Sequence, residues 1–266
     1  MPPIDPLPNS ARSAGLRHAL FSAALTIGLF FVWTAPVAAS EKALAIKQSS
    51  LSVGVSVSYL TSQALRVDIG SDKTYLVAKA PSWKVVLFNS VNNCGLEMSY
   101  NQWISHHPKW NHGKDTDWLP FEKMLKVASP LVDGRKCTDY VLAELLPSGR
   151  LVPKTGGTSG HFIVAEVEDI APQALHILQR TLDMPQTTGL PLRLTISGKK
   201  RHVEGMALSM GGDSHMLATN SIKTVEVPAS TFAYPKGFKV VPHETEVLYD
   251  SKTMNSNVEQ FLNAFQ

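Results

Sequence analysis

Short runs of alternating apolar and polar residues fill most of the chain after residue 50. In residues 51–59, Leu51, Val53, Val55, Val57 and Tyr59 share one face, which predicts a strand buried on that side. Residues 64–69 alternate again, with Leu65, Val67 and Ile69 opposite Arg66 and Asp68. Further strands are predicted at 74–79, 83–88 and 94–100, separated by the turn residues of 70–73, Ala80-Pro81-Ser82 and 89–93. Connections this short cannot make the crossovers that parallel strands need, so the sheet is an antiparallel meander.

The stretch 101–122 breaks the alternation and reads as a long loop with one helical turn near Trp103 and another near Phe121. Strands resume at about 124–128, 135–146 and 161–167, with a Gly-, Ser-, Thr- and Pro-rich loop over 147–160. One internal helix is predicted over 169–184. Asp169 is its candidate cap, Pro172 suits its first turn, and Leu175, Leu178 and Leu182 form its apolar stripe. Strands are expected again at 191–197, 200–209, 214–227 and about 238–241. Residues 255–265 repeat Val258, Phe261, Leu262 and Phe265 at helical spacing and predict a C-terminal amphipathic helix. The whole is mainly β (α+β).

The N-terminus adds a compartment. Arg12 and Arg17 precede an apolar run from Ala19 to Trp33, followed by Ala35-Pro36-Val37-Ala38-Ala39. That is the layout of a secretory signal over residues 1–39, with the cut before Ser40, and it leaves residues 40–266 as one domain. The expected location is the periplasm or extracellular space. The alternative is a membrane tether left uncut, although the run is shorter than the ~20 residues that span a bilayer. The formal charge of the chain, +3, falls to +2 once Arg12, Arg17 and Asp5 are gone. So weak a balance gives no argument for a nucleic-acid partner. In an oxidising compartment the only two cysteines, Cys94 and Cys137, are expected to form a disulfide. The alternative is two buried thiols in separate strands.

Several segments taken in order carry a family resemblance. They are Tyr59–Arg66, Tyr75–Val85, Gly134–Tyr140, Gly189–Leu194, Val227–Phe232 and Pro235–Phe238. Their succession resembles the LolA-like superfamily of exported lipoprotein-carrier proteins, over about residues 50–245. The resemblance implies a strongly curved antiparallel sheet, an incomplete β-barrel covered by a helix, with an apolar concave face that holds acyl chains. The gating arginine and the partner-binding features of the carriers cannot be matched to positions here.

Chemistry-bearing motifs are sparse. His106, His107 and His112 stand near Asp115 and Asp117 without a metal-ligand spacing, and no metal or other cofactor is expected. Trp103, Trp110 and Trp118 either pack on the sheet edge or form an apolar lip. Gly156–Gly160 lacks the lysine of a phosphate-binding loop, and no nucleophile elbow or HExxH motif occurs. The expectation is therefore an exported binding protein, not an enzyme. It would hold a lipid, acyl chain or other hydrophobic molecule against a face lined by Val85, Leu87, Leu175, Leu178 and Leu182, with Val86 and Phe88 as the alternative register of the strand. A lipoprotein or a membrane surface is the further partner expected. The alternatives are a structural protein of the cell envelope with no ligand and a hydrolase with its site in the 101–122 loop.

Overall fold

The computed structural model describes residues 40–70, 73–106, 123–153, 159–197, 201–203, 206–208 and 213–248. The expected signal (1–39), Trp110, Trp118, Phe121, His107, His112, Gly156, Gly157 and the expected tail helix (255–265) lie outside the described residues.

A first strand that the alternation does not reveal, β1 (Ser40–Ser50), occupies the middle of the sheet. Its core sequence Ala43-Leu44-Ala45-Ile46 is a continuous apolar run. Such a run is what a strand with neighbours on both edges and cover on both faces requires. The meander follows: β2 (Gly54–Leu60), β3 (Ala64–Ile69), β4 (Thr74–Lys79), β5 (Lys84–Asn89) and β6 (Cys94–Met98), each antiparallel to the one before. Helix α1 (Tyr100–Ser105) is started by a capping box between Ser99 and Gln102.

The second half of the chain supplies β7 (Met124–Ala128), β8 (Leu131–Val132), β9 (Arg135–Leu145), β10 (Leu151–Pro153) and β11 (Ser159–Ala165). Helix α2 (Pro172–Thr181) leads into β12 (Leu190–Ser197), and the short pair β13 (Arg201–Val203) and β14 (Met206–Leu208) stands apart. The 16-residue β15 (Asp213–Pro228) then lies between β12 and β1. The order β10-β9-β11-β12-β15-β1-β2-β3-β4-β5-β6, with β16 (Lys239–Val240) beyond β6, makes one curved, unclosed sheet, mainly β and an incomplete barrel. It is antiparallel throughout except where β16 runs parallel to β6.

Two expectations about local structure are corrected. Residues 51–53 are a turn, and β2 buries the opposite face from the one its alternation suggests. Ser56, Ser58 and Leu60 are buried, while Leu51 and Val55 are 51% and 47% exposed. Register decides this: Leu60 lies opposite Leu44 and Leu65, and Ser58 lies opposite Ile46 and Val67. A strand that must bury Leu60 buries Ser58 and Ser56 with it. In α2, Pro172 takes the first helical position as expected, but Ala171, without a side-chain cap bond, replaces Asp169 as the N-cap.

The segment after β15 wraps the convex face. Phe232 is buried there with Ala43, Ala64 and Val227. The Tyr234 hydroxyl donates to Lys84 O (2.8 Å), and Phe238 meets Phe88 edge-on. Gly95 lies directly beneath Phe238, where a Cβ would stand 2.7 Å from its ring. Beyond β16 the chain rounds the β6 edge, and α3 (Glu244–Leu248) reaches the concave face. Asn89 Nδ2 donates to Val247 O there (2.8 Å).

The halves are locked where β12 leaves β15. Their pairing begins at Arg193, so the carbonyls of Pro191 and Leu192 have no ladder partner on β15. Gln48 Nε2 donates to Pro191 O (2.7 Å) and to Thr219 Oγ1 (3.0 Å), and Thr219 Oγ1 donates to Leu192 O (2.7 Å). Asn220 is the extra residue of a bulge at this point. Gln48→Ala is expected to destabilise the protein by about 1–3 kcal/mol, because buried acceptors are left without donors. Thermal unfolding reads this as a loss of roughly 2–4 °C per kcal/mol for a chain of this size. The exposed Gln63→Ala should stay within about 0.5 kcal/mol of wild type.

Candidate ligand-binding face

Alternate residues of β2–β6 point inward. In register across the sheet, Val67, Leu76, Leu87 and Leu96 form one row, and Leu60, Leu65, Ala78, Val85 and Met98 form another. The polar members of the same face are Ser56, Ser58, Thr74 and Asn89, and none is charged. The charges sit on the other side. Arg66 bonds Asp68 (2.7 Å) and covers the Tyr75 ring, and Lys84 pairs with Glu97 (3.1 Å).

Helix α2 lies over this face. Ala174, Leu175, Ile177, Leu178 and Leu182 are buried in the same cluster as Leu65, Val67, Leu76, Val85 and Leu87. The five residues expected to line the face, Val85, Leu87, Leu175, Leu178 and Leu182, therefore come together, each between 0 and 2% exposed. The strand register puts Val85 and Leu87 inward. Phe88 faces outward against Tyr75 and Phe238, and Val86 shares its side. Polar contacts fix the helix end. Ser52 Oγ donates to Leu182 O (2.7 Å). Gln179 Nε2 donates to Gly189 O (2.7 Å) and Thr187 Oγ1 (2.8 Å).

Where α2 meets α1, Tyr100 Oη and His176 Nδ1 are 2.8 Å apart. Burial pushes the His176 imidazolium towards its neutral form and the Tyr100 phenol pKa upward. Trp103 of α1 packs into the core. His106, at the end of α1, lies 3.3 Å from the buried carboxylate of Glu244 and so links α1 to α3. A surface depression of about 560 Å³ opens beside this link, between Leu96, Met98, Gln102, His106, Val241 and Pro242.

The expected Cys94–Cys137 bridge is not formed: both are free, buried thiols. β6 and β9 are separated by eight intervening strands in the sheet order. Each sulfur has a local acceptor, Glu246 O for Cys94 and Arg135 O for Cys137, and burial raises both thiol pKa values.

Sequence reasoning missed Gln48, Ser56 and Ser58, which form a polar patch in the middle of the apolar face. The signal was present in the hairpin. Leu60 and Leu65 flank the Thr61–Ala64 turn, and counting back from Leu60 in twos gives Ser58 and Ser56.

No protein-family model matches this chain, and no curated protein does. Solved structures do. One is an uncharacterized conserved protein from Thermus thermophilus, 13% identical, covering 76% of this chain and 90% of that one, with a TM-score of 0.36. Another is a LolA superfamily protein from Nitrosomonas europaea, 11% identical, covering 74% and 91%, with a TM-score of 0.22. Superposition this loose carries no argument about activity, and the half-barrel stands on its own strand register.

Because the folded pKa of His176 lies below the ordinary 6.5, protons bind the unfolded chain more readily. Its contribution is complete above that ordinary value and declines as pH falls through it. Between about pH 7.5 and 5.5, the melting temperature of wild type should fall more steeply than that of His176→Gln. Parallel profiles for the two proteins would contradict this.

Proposed function

We propose that this protein is an exported carrier that holds a lipid or another acyl-bearing molecule against the concave face of its half-barrel. The observation that supports it best is the chemistry of that face: five adjacent strands with no inward charge, covered by the ten-residue helix α2 and the five-residue α3. A second sheet would close such a face permanently, whereas a helix tied at its end by Ser52 and Gln179 can be displaced. An acyl chain replacing the Leu175, Leu178 and Leu182 stripe would gain about 0.8 kcal/mol per methylene removed from water. Release reverses this when α2 and the 183–189 connection return. The signal-like residues 1–39 support a site of action in the periplasm or outside the cell, where a membrane surface or a lipoprotein would exchange the cargo.

One observation favours a second reading. The five lining side chains already fill the face they share, as they would in an envelope protein whose core needs no ligand.

The full chain, expressed with its leader and purified without detergent, separates the two in native mass spectrometry followed by organic extraction. The carrier reading expects a protein beginning at Ser40 with an acyl species that leaves on extraction. A clean protein mass, with no uptake of a pyrene-labelled acyl probe, would support the structural reading instead.

A further inference from the structure

Gln48, Ser56 and Ser58 point into the concave core, each at 1% exposure or less. Gln48 faces Ser56 directly across β1 and β2, and Ser58 faces Ile46. Directly opposed residues of an antiparallel pair have Cβ atoms about 4.5–5.5 Å apart, so the polar groups form one patch. Apolar residues surround it in register: Ile46, Leu60, Val67 and Ile69. Both Nε2 hydrogens of Gln48 are committed, to Pro191 O and Thr219 Oγ1. Among the described residues its Oε1 accepts from nothing, and neither serine hydroxyl has a partner.

A buried polar atom left alone costs about 1–3 kcal/mol, and native cores leave few of them. The scaffold has no use for these hydroxyls. Alanine at 56 and 58 would keep the strand and the register without the cost. Their chemistry instead describes a small recognition site with one amide oxygen that requires a donor and two hydroxyls that can give one. No charge accompanies them on the inner face of β2–β6, and a carboxylate or phosphate placed among them would bear the full cost of desolvation.

We infer that Gln48 Oε1 and the Ser56 and Ser58 hydroxyls bind the neutral head of the cargo, and that the preferred cargo joins an acyl chain to an uncharged group carrying both a donor and an acceptor. A free hydroxyl next to an ester, as in a monoacylglycerol, has this chemistry: its O–H answers Gln48 Oε1, and its oxygens accept from the serines. The inference rests on the carrier reading and narrows it from acyl chains in general to neutral acyl esters and amides.

The test is a fluorescence titration of the full-length protein, at about pH 8 so that the acid is ionised. Two pyrene-labelled probes of equal chain length are compared, a monoacylglycerol and a free fatty acid. Wild type should bind the neutral probe at least about tenfold more tightly, the equivalent of one or two buried hydrogen bonds. Ser56→Ala with Ser58→Ala should lose about that factor for the neutral probe, change little for the acid, and melt no lower than wild type. Equal binding of the neutral probe by variant and wild type, or a wild-type preference for the ionised acid, would overturn the inference and leave the carrier reading standing. Uptake of neither probe by wild type would overturn both. The wild-type ratio needs no variant, so it decides the matter even if the double substitution does not fold.

Discussion

The pairing of β1 with β15 holds the two halves of this protein in one sheet. Eleven register positions join strands about 170 residues apart, as the 171-residue separation of Gln48 and Thr219 illustrates. β2–β6 hang from β1, and β12, β11, β9 and β10 hang from β15. Helix α2 belongs to the second half, between β11 and β12, yet it covers β3 in the first. Only a fixed seam can align a helix from one half with the apolar rows of the other. Gln48 serves this alignment twice over, supplying hydrogen bonds where β12 and β15 part and filling a place on the inner face. Contacts this distant in sequence cost loop-closure entropy, so the fold depends on burying both faces of β1 in return.

The sheet sorts its chemistry by side. Outward positions carry the Arg66–Asp68 and Lys84–Glu97 pairs and the aromatic contacts of Tyr75, Phe88 and Phe238. Inward positions of β2–β6 carry hydrocarbon and a few neutral polar groups. The 229–248 segment exploits both sides. It packs Phe232 and Tyr234 on the outside, pairs β16 with the β6 edge, and closes the inside with α3. The otherwise open edge is thereby covered, which removes a template for edge-to-edge association.

Much of this was legible in the chain. The alternation of Leu65, Val67 and Ile69, and the short turns on either side, place β3 and β4 where they lie, and Pro172 marks the start of α2. The concave assignment of Val85 and Leu87 agrees with the register. Other features depended on tertiary context. β1 is invisible to a search for alternation because a central strand is apolar on both faces. The serines of β2 read as solvent-facing because local pattern cannot see Leu60 pairing with Leu44 and Leu65. The bridge between Cys94 and Cys137 was inferred from compartment and number, and neither tells how many strands lie between two thiols. The helix predicted in the tail lies outside the described residues, whereas α3, just before it, is too short for periodicity to reveal.

Helix α2 covers the apolar rows, and the β1–β15 seam is the frame that holds it there. Native-state hydrogen exchange tests this directly, since segments that open separately exchange at free energies below that of global unfolding. Amides of Leu175–Leu182 should exchange through an opening that leaves Leu44–Gln48 and Thr219–Val225 protected, and an acyl ligand should slow the helix selectively. Exchange of α2 and the seam together, only on global unfolding and unchanged by any acyl ligand, would make the helix an ordinary part of the core rather than a cover.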